Sequence, residues 1–132
     1  MLFDVFRFVR GGVGNASRLA ARIAQMLDVH IADSFEAAGQ DEPSCYFALN
    51  VHELIFWRDN VPIERFPMLM RMRDYWADAD FATSELPKVV EEIQSLIAIL
   101  PPNNAVISTL EQFRHACESA VSSNRNLYLI CD

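Results

Sequence analysis

Hydrophobic and polar positions follow two different periods along this chain. Where apolar residues recur every three or four positions, the pattern predicts helices; these stretches cover residues 17–28, 67–76, 84–100 and 104–122. Where apolar residues alternate or form short dense runs, the pattern predicts strands; these cover residues 2–9, 46–57, 61–63 and 127–130. The polar stretch at residues 33–44 is predicted to be a loop.

The order of these elements predicts the fold class. Strands near both ends and in the middle, with helices between them, indicate an α+β domain. We expect a single two-layer domain over residues 1–132, in which a mostly antiparallel sheet packs against three or four helices. The chain has 132 residues and is 52% apolar, which suffices for one packed core. Its longest apolar runs fall well short of the roughly 20 residues of a membrane-spanning helix, so we expect no membrane association.

The charge of the chain narrows the class of partner. Eighteen acidic and eleven basic side chains leave a formal charge of −7, with a pI near 4.8. Phosphate backbones and anionic membranes repel such a surface, so direct nucleic-acid binding is not expected and a basic protein is favoured. The carboxylates concentrate in two segments, residues 28–42 and 74–92. The sequence leaves open whether these two segments form one surface.

The second acidic segment combines carboxylates with aromatic side chains, and Lys88 is its first cation. Aromatic residues supply buried contact area in protein interfaces, and carboxylates steer and pair with cations. We therefore predict a partner-binding patch made of Asp74, Tyr75, Trp76, Asp78, Asp80, Phe81 and Glu85. The alternative is that Trp76 and Phe81 anchor a loop to the core while the aspartates face water.

A glycine-rich turn supports a second hypothesis. Gly11, Gly12 and Gly14 lie between a predicted strand and a predicted helix, and Asp33 follows Gly14 by 19 residues. This spacing is similar to a dinucleotide-binding fingerprint, in which glycines let backbone amides approach a pyrophosphate. Ser17, however, stands where the fingerprint has its third glycine or alanine. A small nucleotide-binding regulatory domain that uses residues 11–17 is therefore the alternative function.

Catalytic and metal-binding patterns are missing from the sequence. Cys45, Cys117 and Cys131 form no CxxC pair, so they indicate neither a disulfide framework nor a zinc site. His52 is predicted to lie on a strand, opposite Leu49 and Val51, at the surface or in packing. We expect no catalytic residue, no cofactor and no metal. The first residues lack a long apolar segment and a small-residue cleavage site, which favours the cytoplasm.

A small, acidic, α+β sequence of this kind resembles bacterial immunity proteins of contact-dependent inhibition and other polymorphic toxin systems. The resemblance lies in the small size, the acidity and the predicted α+β class of the whole chain, and no specific motif carries it. It implies a cytoplasmic protein that binds its cognate toxin domain and occludes the active or substrate-binding surface. Many such toxins are nucleases with basic clefts, which an acidic inhibitor complements. A homodimer that buries exposed aromatics such as Trp57 is a further alternative.

Overall fold

The computed structural model describes residues 26–131, which contain four strands and five α-helices. The strands are β1 (Met26–Ala32), β2 (Cys45–Ala48), β3 (Ala79–Phe81) and β4 (Asn126–Cys131). The helices are α1 (Phe35–Ala38), α2 (Leu49–Phe56), α3 (Pro67–Met70), α4 (Leu86–Ile99) and α5 (Asn104–Ser122). Short 3₁₀ helices cover Ile63–Arg65 and Thr83–Glu85. The predicted strand at residues 2–9, the glycine turn and most of the helix predicted at residues 17–28 lie outside the described residues.

The four strands form one antiparallel sheet in the order β2-β1-β4-β3. The predicted α+β class with a mostly antiparallel sheet is therefore confirmed. Side chains alternate between the two faces of a strand, and the register places one set against the core: Leu27, Val29, Phe47, Phe81, Leu127 and Leu129. The opposite set includes Tyr46, Tyr128 and Asp80 and forms what we call the outer face.

Helix α5 lies across the core face of the sheet, and α4 packs against α5. Phe113 of α5 meets Phe47 of β2 edge to face, with ring centroids 5.3 Å apart. Asn103 starts α5 by accepting a hydrogen bond from the backbone N–H of Val106. Asn124, with φ at 55°, turns the chain after α5 and directs it into β4. The helices predicted at residues 84–100 and 104–122 are confirmed, with small shifts at their ends.

The strand predicted over residues 46–57 is wrong beyond Ala48. The structure has a four-residue strand, β2, followed at once by α2. The buried residues of α2 are Val51, His52, Ile55 and Phe56, which is helical spacing. Counting His52 as a polar position hid this stripe and left only the apparent alternation. Together with α1, which was also not predicted, α2 brings the number of α-helices in residues 26–131 to five.

Four shorter predictions are also corrected. Residues 26–28 belong to β1 and not to the end of a helix. Residues 61–63, predicted as an edge strand, lead into a 3₁₀ helix. The helix predicted over residues 67–76 ends after one turn, at Met70. Within the predicted loop at residues 33–44, Ser34 accepts a hydrogen bond from Ala37 N–H and starts α1. The 3₁₀ helix and the two short helices, α1 and α3, span too few residues for a periodic pattern to register.

Candidate functional site

A cleft opens at the outer face of the sheet, between α1 and the edge strand β3. We call it the acidic–aromatic cleft; it has a volume of about 280 Å³, and its lining consists of Phe35, Asp78, Ala79, Asp80 and Tyr128. The rings of Phe35 and Tyr128 are stacked, with centroids 6.1 Å apart and planes inclined by 27°. The cleft therefore combines two aromatic rings with two carboxylates.

Strand pairing brings the carboxylates and the rings together. Asp80 lies directly opposite Tyr128 in the β3–β4 register, and directly opposed residues point to the same face. Because side chains alternate, Phe81 then points into the core while Asp80 points outward. Asn126 donates a hydrogen bond to the Tyr128 hydroxyl at 3.4 Å, which helps to orient that side chain.

The two acidic segments meet at this cleft. Phe35 comes from the first segment, residues 28–42, and Asp78 and Asp80 come from the second, residues 74–92. Asp33, one residue beyond β1, approaches Arg125 with a distance of 3.9 Å between Oδ1 and Nε. That ion pair is exposed, since the Arg125 side chain is 50% accessible and the Asp33 side chain 78%, so it contributes little stability. The structure thus places one aromatic side chain of the first segment beside two carboxylates of the second.

Three of the predicted carboxylates are already engaged within the fold. Asp74 accepts a hydrogen bond from the backbone N–H of Trp76 at 3.0 Å. Asp78 accepts one from the backbone N–H of Cys131 at 2.8 Å, which ties the segment to the end of β4. Glu85 accepts from the Ala82 N–H at 2.9 Å and pairs with Arg71 at 2.8 Å. The Ala82 N–H and the Arg71 guanidinium together hold the pKa of Glu85 below its usual value.

The aromatic residues of the predicted patch separate into two kinds. Phe81 is fully buried and Tyr75 is 3% exposed, so neither side chain is accessible to a partner. The Tyr75 hydroxyl donates a hydrogen bond to the Phe47 carbonyl at 2.9 Å, and burial raises the pKa of this phenol. Trp76 is 38% exposed and meets Tyr75 edge to face. Phe81 therefore anchors this segment to the core, which is what the alternative interpretation of the segment predicts for it.

Sequence reasoning missed the aromatic half of the cleft. Phe35 and Tyr128 were not among the predicted site residues, although both carried a signal. Phe35 directly follows Ser34, a helix-capping residue type, and is an isolated aromatic in an acidic segment. Tyr128 occupies an outward position in an alternating C-terminal strand. Only the strand register shows that both lie beside Asp80.

The predicted nucleotide site at residues 11–17 lies outside the described residues. The strand that directly precedes Asp33, β1, does lie within them. It pairs antiparallel with β2 on one side and with β4 on the other. A dinucleotide fingerprint places its second strand beside a parallel first strand. In the described residues both strands that pair with β1 are antiparallel to it, so this part of the sheet does not show that parallel arrangement.

Residue types that often carry chemistry are mostly buried in this fold. Burial raises the pKa of the Cys45 and Cys117 thiols to about 12, which keeps them protonated and poorly nucleophilic. Within residues 26–131, no three His, Cys, Asp or Glu side chains are grouped as metal ligands. The helices in that part of the chain are all too short or too polar to cross a membrane.

Trp57, the aromatic on which the homodimer alternative depends, is 54% exposed. Its indole N–H donates a hydrogen bond to the Arg73 carbonyl at 3.1 Å. The Arg73 guanidinium lies over its ring, 4.0 Å from the centroid. One face of the ring is thus covered within the chain.

Comparisons of this sequence and structure with protein-family models, with curated proteins and with solved structures found no match.

Proposed function

We propose that this protein is a non-enzymatic binding protein that neutralises a basic protein partner. The partner we favour is a cognate toxin domain, with a nuclease as the first candidate, and the site of action is the cytoplasm. The observation that carries the proposal is the acidic–aromatic cleft: both acidic segments contribute residues to it, and its described lining residues include no Lys or Arg.

Charge supports a protein partner over the alternatives. The chain carries a formal charge of −7, so a polyanion such as nucleic acid is repelled over the distance that ionic screening allows. A toxin domain that binds nucleic acid has a basic surface, and an acidic inhibitor is complementary to it. Carboxylates around the cleft would accelerate association with that surface. The exposed rings of Phe35 and Trp76 would add apolar contact once the partner is seated.

Occlusion would require no chemistry from this chain. A rigid acidic surface that covers a nuclease's substrate-binding cleft excludes the substrate by volume and by charge. The cleft is well suited to rigidity, because β3 is paired with β4 and Asp78 is bonded to Cys131. A preorganised surface loses less conformational entropy on binding than a mobile one.

The first test is a capture experiment with the tagged full-length protein in its source cells. The complexes are washed at low and at high salt, bound chains are identified by mass spectrometry, and the eluate is checked for nucleotide absorbance. We expect a stoichiometric basic polypeptide that is retained at low salt. A bound nucleotide without a bound protein would overturn the proposal in favour of the glycine turn.

A set of neutral variants then locates the contact. The triple variant Asp74→Asn, Asp78→Asn and Asp80→Asn removes three charges but keeps the acceptor oxygens used by Trp76 and Cys131. The matched control is Glu53→Gln, Asp59→Asn and Glu64→Gln, which removes three exposed carboxylates outside the cleft. We expect the first triple variant to associate with the captured partner several-fold more slowly at low salt and to show a weaker salt dependence. Equal rates for the two triple variants would contradict the assignment of this surface.

A further inference from the structure

The fold already binds two of its own guanidinium groups against aromatic rings. Arg71 lies over the Phe81 ring, 4.6 Å from its centroid, and also bonds the Glu85 carboxylate and the Asp80 carbonyl. Arg73 lies 4.0 Å over the Trp57 ring, and its Nε donates to the Phe56 carbonyl at 3.3 Å. In both places a planar cation meets a ring face on one side and oxygen acceptors at its edge.

Among the described residues, the lining of the acidic–aromatic cleft offers the same kinds of group and includes no cation. Phe35 and Tyr128 provide two ring surfaces, and Asp78 and Asp80 provide carboxylates. Phe35 is 46% exposed, so part of its ring is accessible from solvent. The cleft has a volume of about 280 Å³, which leaves room for a side chain of the partner.

We infer that the acidic–aromatic cleft receives an arginine side chain of the basic partner. This inference rests on the proposed function and names the group that would be recognised at the cleft. A guanidinium is planar and weakly hydrated, stacks on aromatic rings and bonds carboxylates with two parallel N–H groups. A lysine ammonium satisfies the carboxylates but gains less from the rings, because it is compact and strongly hydrated. The cleft therefore distinguishes arginine from lysine at equal charge.

The test uses two fluorescently labelled peptides of equal length, one with four arginines and one with four lysines. Binding to the full-length protein is measured by fluorescence anisotropy at low salt. We expect the arginine peptide to bind about two- to five-fold more tightly than the lysine peptide, the range typical of an exposed cation–π contact. Asp80→Asn is expected to weaken the binding of both peptides.

Two leucine variants separate the rings from the charge. Phe35→Leu is expected to abolish the preference for arginine while affinity for the lysine peptide is kept. Tyr46→Leu is the matched control, because Tyr46 is also 46% exposed and lies on the outer face but does not line the cleft. It should keep the full preference. Both replaced rings are exposed, and far-UV circular dichroism with thermal melting confirms that each variant is folded.

Equal affinity for the two peptides, no binding of either, or a preference that survives Phe35→Leu would each overturn the inference. Sedimentation velocity with added peptide tests whether a second copy of this chain occupies the cleft. A dimer that the arginine peptide dissociates would overturn the inference and identify that second copy as the occupant. Failure here is distinct from failure of the proposed function. If Phe35→Leu captures a basic partner as strongly as the wild type does, the result contradicts the arginine site and leaves the proposed function standing. If the protein prefers the arginine peptide but captures no basic polypeptide from its source cells, the result contradicts the inhibitor function and leaves the arginine site standing.

Discussion

His52 lies at the centre of an aromatic cluster inside the fold. Its ring is fully buried and stacks on Phe56 at 4.4 Å, with Tyr75 at 5.0 Å and Phe47 at 6.3 Å between centroids. The Nε2 atom lies 2.8 Å from the Met72 carbonyl, and a carbonyl only accepts, so Nε2 carries the proton. Within the described residues, Nδ1 has no hydrogen-bond partner. Protonation at Nδ1 would place an unsolvated charge in the core.

This burial makes stability depend on pH. Burial lowers the pKa of His52 from 6.5 to about 4. Above pH 6.5 the imidazole is neutral in both the folded and the unfolded chain, so it has no effect. As the pH falls from 6.5 to about 4, only the unfolded chain takes up the proton, and the free energy of unfolding decreases by roughly 3 kcal/mol.

Urea unfolding from pH 4 to 7 measures the effect. The variant His52→Gln keeps a donor for the Met72 carbonyl but has no proton to titrate, so its stability should fall less steeply toward pH 4 than that of the wild type. His115→Gln, at an exposed position of α5, is the control and should retain the wild-type slope. A His52→Gln slope equal to the wild-type slope would refute this origin of the acid sensitivity.

At the scale of elements, the single-turn helix α3 depends on a residue from α4. Pro67 has no N–H to donate, and the next two backbone N–H groups, of Met68 and Leu69, donate to the Glu92 carboxylate at 3.2 and 3.0 Å. Glu92 is only 4% exposed. It therefore acts as a cap supplied from a distant position in sequence. The sequence pattern did not show this role, because position 92 reads as an ordinary acidic residue in an amphipathic helix.

Removing this cap should destabilise the fold. Glu92→Ala leaves two backbone N–H groups without their acceptor, and we expect a loss of about 1–3 kcal/mol in the free energy of unfolding. The matched control is Glu91→Ala, since the Glu91 side chain is 73% exposed and its pair with Lys88 has a distance of 4.0 Å. That change should cost less than about 0.5 kcal/mol. Denaturant unfolding of the two variants under one condition compares them directly, and equal losses would contradict the cap.

At the scale of the whole molecule, the three cysteines report on the integrity of the core. Cys45, Cys117 and Cys131 are all buried, and they lie on β2, α5 and β4. Because they come from three elements, together they become accessible only when the core opens. We expect the folded protein to react slowly with a thiol reagent at pH 8 and the denatured protein to react rapidly at all three positions. A rapid reaction at one cysteine in the folded state would show that its element opens separately.

The capture and peptide experiments also concern the whole molecule, because the cleft exists only when distant segments meet. Phe35, Asp80 and Tyr128 are separated by more than forty residues of sequence at each step. Their approach depends on β4 pairing with β1 on one side and with β3 on the other. Any change that shifts this register by one residue would turn Asp80 inward and Phe81 outward.

The sequence by itself determined the α+β class, the two long helices and the acidic character, because long periodic stripes and net charge are properties of composition and spacing. It also placed Asp78 and Asp80 in the candidate surface. Only the tertiary structure decided that the strand predicted after Tyr46 becomes helix α2, since burial of His52 turns an apparent polar position into a core position. Only the tertiary structure decided that Phe81 is buried and that Phe35 and Tyr128 complete the cleft. Strand register sets which face each side chain takes, and register depends on partners far away in sequence.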